Sequence, residues 1–124
     1  MTINDVISAV NTMRPGNKVE QELIVKWLSD LDGQIINELV NNREGYEDVV
    51  YTPYTRDTDG NTELVIKAPY ANAYVFYVTA QIDMLSDEIS KYNNSIAMFE
   101  AEYTSFRNNY NASHRTLRRR ARWF

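Results

Sequence analysis

The segment PYANAYVFYVTAQIDMLSDEISKYNNSIAMFEAEYTSFRNNYNA, residues 69–112, decides the fold. After Pro69, a residue suited to a first helical turn, it contains neither Pro nor Gly. Val75, Val78, Ile82, Leu85, Ile89, Tyr92, Ile96, Phe99, Tyr103, Phe106 and Tyr110 recur in unbroken three-four alternation, the seam of a helix packed along its length. One long helix, bent if anywhere at Asn93–Ser95, is the favoured reading, because a reversal has no reason to preserve the phase of the stripe. At about 1.5 Å per residue such a helix spans about 65 Å, roughly twice the width of a compact domain this small, so it needs partners. The alternative is a helical hairpin turning at Asn93-Asn94, since Asn and Ser favour caps.

Upstream, residues 42–69 change character. Val49-Val50-Tyr51-Thr52 and Leu64-Val65-Ile66 are rich in β-branched and aromatic residues, and Asp57-Thr58-Asp59-Gly60-Asn61 between them supplies turn chemistry. This predicts a small β-hairpin over about residues 48–67, with Tyr51, Tyr54, Arg56 and Asp59 as its candidate interface. Two strands are marginal alone, so the hairpin is expected to lean on helices or on a neighbouring subunit.

Further upstream, Asn17 and Glu20 suggest the start of a second helix. Leu23, Ile24, Trp27, Leu28, Leu31, Ile35 and Leu39 carry it to about Asn41. Gly33 inside it marks a bend or a close contact with another backbone. Ile3, Val6, Ile7, Val10 and Met13 form one face of a first helix, with Thr2 and Asp5 as a capping box and Arg14-Pro15-Gly16 as its stop. The fold class is therefore mainly α, a helical bundle with a long C-terminal helix or helical hairpin and one β-hairpin inserted between helices 2 and 3. Residues 1–113 form a single domain, and residues 114–124 form a basic arm.

At 124 residues, 44% hydrophobic and 24% charged, the chain has the composition of a folded single domain rather than a disordered one. The absence of Cys excludes a disulfide scaffold and a thiolate metal site or nucleophile. No glycine-rich phosphate loop occurs, because Gly16, Gly33, Gly45 and Gly60 are isolated. Asp83, Asp87 and Glu88 share a helix face but read as solvated acids. His114 beside Ser113 has no base–nucleophile geometry. No catalytic residue, cofactor or metal is expected, and the chain is not read as an enzyme. No apolar run suits a membrane span or a leader peptide, so neither insertion nor secretion by that route is expected.

The net charge of −4 hides an asymmetry: residues 1–113 hold 8 basic and 17 acidic side chains, whereas the arm holds five Arg and no acid. In that arm Arg115, Leu117, Arg118, Arg119, Arg120, Arg122, Trp123 and Phe124 combine guanidinium forks with rings that need an apolar pocket. They are the candidate partner-binding residues, best suited to an acidic protein neighbour. Tyr92, Phe99, Tyr103, Phe106 and Tyr110 fit the core stripe, whereas Tyr51, Tyr54, Tyr70, Tyr74 and Tyr77 are less constrained and suit interfaces.

Ala68-Pro69-Tyr70, Tyr74, Tyr77, Ala80-Gln81-Ile82-Asp83, Glu88, Tyr92-Asn93-Asn94-Ser95, Ala97, Phe99 and Tyr103 together resemble the C-terminal half of the head-tail connector proteins of tailed phages and prophages, also called adaptor or head-completion proteins. The likeness covers roughly residues 64–111. Ala71 stands where an acid would be expected, Leu85-Ser86 replaces a more polar or aromatic pair, and the Arg-rich arm lies outside the pattern. The resemblance implies a structural virion protein of the head-tail neck, assembled in the host cytoplasm. It would form a homo-oligomeric ring, typically of twelve subunits, between the portal protein and a stopper or tail-completion protein. DNA would pass through its channel without sequence-specific binding, and no membrane would be involved. The alternative is a small helical DNA-associated regulator using its Arg tail on phosphates, although helix 2 is acidic where a recognition helix is basic.

Overall fold

The computed structural model describes residues 1–43 and 45–114. The described residues form four helices: α1 (Ile3–Met13), α2 (Gln21–Ile35), α3 (Asn72–Leu85) and α4 (Ile89–Ser113). The first follows the expected local rules. The Thr2 backbone N–H donates to Asp5 Oδ2 at 3.0 Å and the Asp5 N–H donates to Thr2 Oγ1 at 3.2 Å, closing a capping box. Ile3, Val6 and Val10 are buried, and the helix ends at Arg14.

Helix α2 begins later than the Asn17 reading predicts, with Glu20 as its N-cap. Asn17 is occupied elsewhere: its amide donates to the Arg14 carbonyl at 2.8 Å and its Oδ1 accepts from the Val19 N–H at 3.1 Å. It stabilises the link between α1 and α2 rather than a helix start. At its other end α2 widens into a π turn, Ile36–Val40, where the Asn41 N–H reaches back five residues to the Ile36 carbonyl at 2.8 Å.

The favoured single long helix is not formed. The chain reverses at residues 86–88, and α3 and α4 pack as an antiparallel hairpin: Tyr77 faces Phe99 with ring centroids 5.2 Å apart, and Ser95 bonds to Asp83. The reversal lies upstream of Asn93-Asn94, the turn expected for a hairpin. It is a Schellman motif, with the Glu88 N–H on the Asp83 carbonyl at 2.9 Å and the Asp87 N–H on the Met84 carbonyl at 3.2 Å. Asp87 takes the left-handed conformation, φ 56°, that glycine usually fills at this position. The stripe keeps its phase because the step from Leu85 to Ile89 is four residues whether the chain turns or continues. Alternation alone is therefore blind to this turn.

The predicted β-hairpin is also absent: no strand forms among the described residues. Residues 55–58 and 59–62 make two successive turns, closed by Thr58 N–H to Thr55 O at 3.0 Å and Thr62 N–H to Asp59 O at 3.0 Å, and they carry the two would-be strands apart. The second pairs with the N-terminus instead, through an isolated antiparallel bridge between Thr2 and Glu63 and a bond from Leu64 N–H to the Met1 carbonyl at 3.0 Å. Leu64 and Ile66 are then fully buried among Val6, Leu28, Val78 and their neighbours. The segment between α2 and α3 is thus a strap laid across the helices. Its contact with α2 explains Gly33, where an added Cβ would lie 3.0 Å from the Tyr51 ring. The close approach is to a side chain, not to a backbone.

Candidate functional site

The arm residues Arg115, Leu117, Arg118, Arg119, Arg120, Arg122, Trp123 and Phe124 lie outside the described residues. Of the strap candidates, two have their polar groups engaged inside the chain. The Tyr51 hydroxyl donates to the Ser29 carbonyl at 2.6 Å and also meets Ser29 Oγ. The Tyr54 N–H donates to Ser29 Oγ at 3.0 Å, and its hydroxyl donates to Asp32 Oδ2 at 2.7 Å. Arg56 and Asp59 are exposed, and Asp59 Oδ1 accepts the Asn61 N–H at 2.9 Å within its own turn. Arg56 lines an open cleft of about 880 Å³ with Glu20, Glu22 and Lys26.

Asp32 is the anchor of the strap. It is wholly buried, and besides Tyr54 it accepts the Tyr74 hydroxyl on Oδ1 and the Val65 N–H on Oδ2 at 3.2 Å. Tyr74 in turn accepts the Ile66 N–H at 2.6 Å. Burial pushes the Asp32 carboxyl above its ordinary range, and the hydrogen bonds from Tyr74, Tyr54 and Val65 offset only part of that. Burial, together with the adjacent Asp32 carboxylate, also holds the Tyr74 and Tyr54 hydroxyls well above theirs, so both remain donors. Tyr74, expected among the interface tyrosines, is a fully buried core residue. The signal for this knot was a carboxylate between Leu28 and Ile35 on the apolar face of α2.

A second buried carboxylate fixes the upper part of the α3–α4 hairpin. Arg14 grips Asp83 with a two-point fork, Nε to Oδ1 at 2.7 Å and Nη2 to Oδ2 at 2.8 Å, and Ser95 Oγ donates to Oδ2 at 3.0 Å. Burial alone would raise the Asp83 carboxyl, but the Arg14 and Ser95 hydrogen bonds and the Arg14 charge outweigh it and hold it below the ordinary carboxylate range. Asp83 is therefore not part of a solvated acidic face, whereas Asp87 and Glu88 are exposed.

Beyond this clamp the hairpin apex is apolar and open. Met84 is 55% exposed, Leu85 63% and Ile89 67%, although Leu85 and Ile89 belong to the same stripe as buried Val78 and Ile82. Met84, Ile89 and Tyr92 line a shallow cavity of about 290 Å³ with Asp83, Asp87 and Glu88. Large apolar side chains are thus grouped on a surface with a charged rim. At the far end of α4, Phe99, Tyr103, Phe106 and Tyr110 form a continuous ladder of rings ending in His114, stacked on Tyr110 at 3.9 Å. No helix among the described residues is long and apolar enough to cross a membrane. No family model, curated protein or solved structure matches the chain.

Proposed function

We propose that this chain is a structural, non-catalytic component of the head-tail neck of a tailed phage or prophage, acting as a ring-forming adaptor beneath the portal. The observation that carries the reading is the apex of the α3–α4 hairpin, where stripe residues made for burial stand open to solvent. A subunit built this way acquires burial from neighbours, as a head-to-tail ring supplies it. The resemblance of residues 64–111 to head-tail connectors supports the same role, and those residues span the final turns of the strap, α3 and nearly all of α4. A body of net charge −9 through residue 113 suits a channel wall that repels passing phosphates instead of retaining them. In this reading Arg56, Asp59 and the exposed edges of Tyr51 and Tyr54 face a neighbour or the next ring. The arm, residues 115–124, joins the subunit to the portal or to an adjacent subunit.

The test is to mix the full-length protein with the portal protein from the same genome and image the product by negative stain. Rings stacked on the portal, lost when residues 115–124 are removed, support the adaptor role. A monomer that ignores the portal but binds duplex DNA, with affinity falling steeply as salt rises, points to the DNA-associated regulator instead.

A further inference from the structure

We infer that the acidic, apolar apex of the α3–α4 hairpin is the socket for the Arg-rich arm, residues 115–124, of a second copy of this chain. The inference rests on the self-assembling role proposed above and names the contact that makes it.

The chemistry of the two surfaces is complementary. The apex offers Met84, Leu85 and Ile89 more than half exposed, a 290 Å³ cavity, and the exposed carboxylates Asp87 and Glu88, with Lys91 nearby and Arg14 already engaged by Asp83. The cavity lies near the roughly 300 Å³ lower limit of small-ligand pockets, a size for one or two side chains. The arm offers five guanidinium groups and no acid, with Leu117, Trp123 and Phe124 to fill an apolar socket. Trp and Arg are the residue types that most often dominate the energy of protein contacts.

Geometry favours a second copy over the same chain. The apex and the end of the described chain lie at opposite ends of α4, whose 25 residues span about 38 Å at about 1.5 Å each. Ten residues cover at most about 33–36 Å when fully extended. Within one subunit Phe124 would barely return to the apex, and Arg118–Arg120 would stop roughly halfway, about 14–20 Å along, distant from Asp87 and Glu88. Between two copies no such limit applies, and rings and guanidinium groups can be seated together. Because socket and arm are different surfaces, the contact is heterologous, the kind that propagates into a closed ring or an open filament.

The experiment uses two full-length variants, one with a broken socket (Leu85→Glu with Ile89→Glu) and one with a broken arm (Trp123→Ala with Phe124→Ala). All the substituted apex side chains are exposed, and circular dichroism with urea unfolding verifies that each variant folds. Sedimentation should show each variant self-associating at least about 30-fold more weakly than wild type, the size expected for lost hot-spot residues. Mixed together they should form a one-to-one heterodimer and nothing larger, since each supplies what the other lacks. A wild-type chain that stays monomeric at about 1 mM overturns the inference. So does an arm variant that assembles normally, the signature of apex-to-apex pairing, or a mixture that yields no heterodimer. Portal capture separates the two levels: if the self-association outcomes fail while the full-length chain still binds the portal, the socket assignment falls and the adaptor role stands.

Discussion

Replacing Asp83 with Ala removes the acceptor that ties α1, α3 and α4 together. Arg14 loses both of its charge-assisted bonds and Ser95, itself 4% exposed, loses its acceptor. Removing one member of a buried ion pair costs about 3–5 kcal/mol, because the other charge is left unpaired. Here the Arg14 side chain keeps 22% exposure and can be partly rehydrated, so the lower end, about 3 kcal/mol, is expected. With a urea slope of about 1.5 kcal/mol per molar, the unfolding midpoint should fall by about 2 M. The conservative Asp83→Asn variant keeps the shape and one acceptor oxygen and should lose about half as much. The pH dependence follows from the lowered carboxyl. A group held below its unfolded value of 3.8 contributes stability above that value and loses it as pH falls through the folded pKa. The gap between wild type and Asp83→Asn should thus be full at neutral pH and close at the acid end of the titration. A midpoint shift below about 0.3 M for Asp83→Ala, or a gap to Asp83→Asn that does not change with pH, would refute the clamp.

Tyr74→Phe should cost about 2–3 kcal/mol by urea unfolding, since it leaves the fully buried Ile66 N–H without an acceptor and Asp32 without its Oδ1 donor. For Asp32 the pH trend runs opposite to Asp83. Its carboxyl is raised above 3.8 on folding, so the stability of wild type relative to Asp32→Asn should increase as pH falls through the folded pKa; a gap moving the other way contradicts the buried knot. Asp87→Gly should raise stability by about 0.5–1 kcal/mol, because glycine adopts the left-handed conformation at residue 87 without the Cβ penalty. The same substitution inside a continuous helix would lower stability by about as much, so its sign locates the turn.

Where structure depends on neighbours in the chain, the sequence was readable. The capping box at Thr2 and Asp5, the stop at Arg14 and the three-four spacing that marks α3 and α4 as helical all involve residues within a few positions of one another. Long-range competition hid the rest. The strap looks like a hairpin because Val49-Val50 and Leu64-Val65-Ile66 favour extended backbone, but the N-terminal residues capture the second segment and the core captures Leu64 and Ile66. Asn17 looks like a helix cap, yet its amide has a better use on the Arg14 carbonyl. The reversal at Asp87 lacks the usual glycine and preserves the heptad phase, so neither composition nor periodicity marks it. The two buried carboxylates depend on donors 42 and 69 positions away in sequence, Tyr74 for Asp32 and Arg14 for Asp83. At the apex, Leu85 and Ile89 belonged to a stripe read as buried, and only the turn between them reveals that they face solvent.

That this chain completes its burial through other subunits is tested most directly by the mass of the full-length protein in solution. Light scattering over a range of concentrations, with and without the portal protein from the same genome, would supply it. The account predicts species of many times the 14.5 kDa chain mass, growing with concentration or appearing on the portal. A single 14.5 kDa species at every concentration, unchanged by the portal, would contradict it.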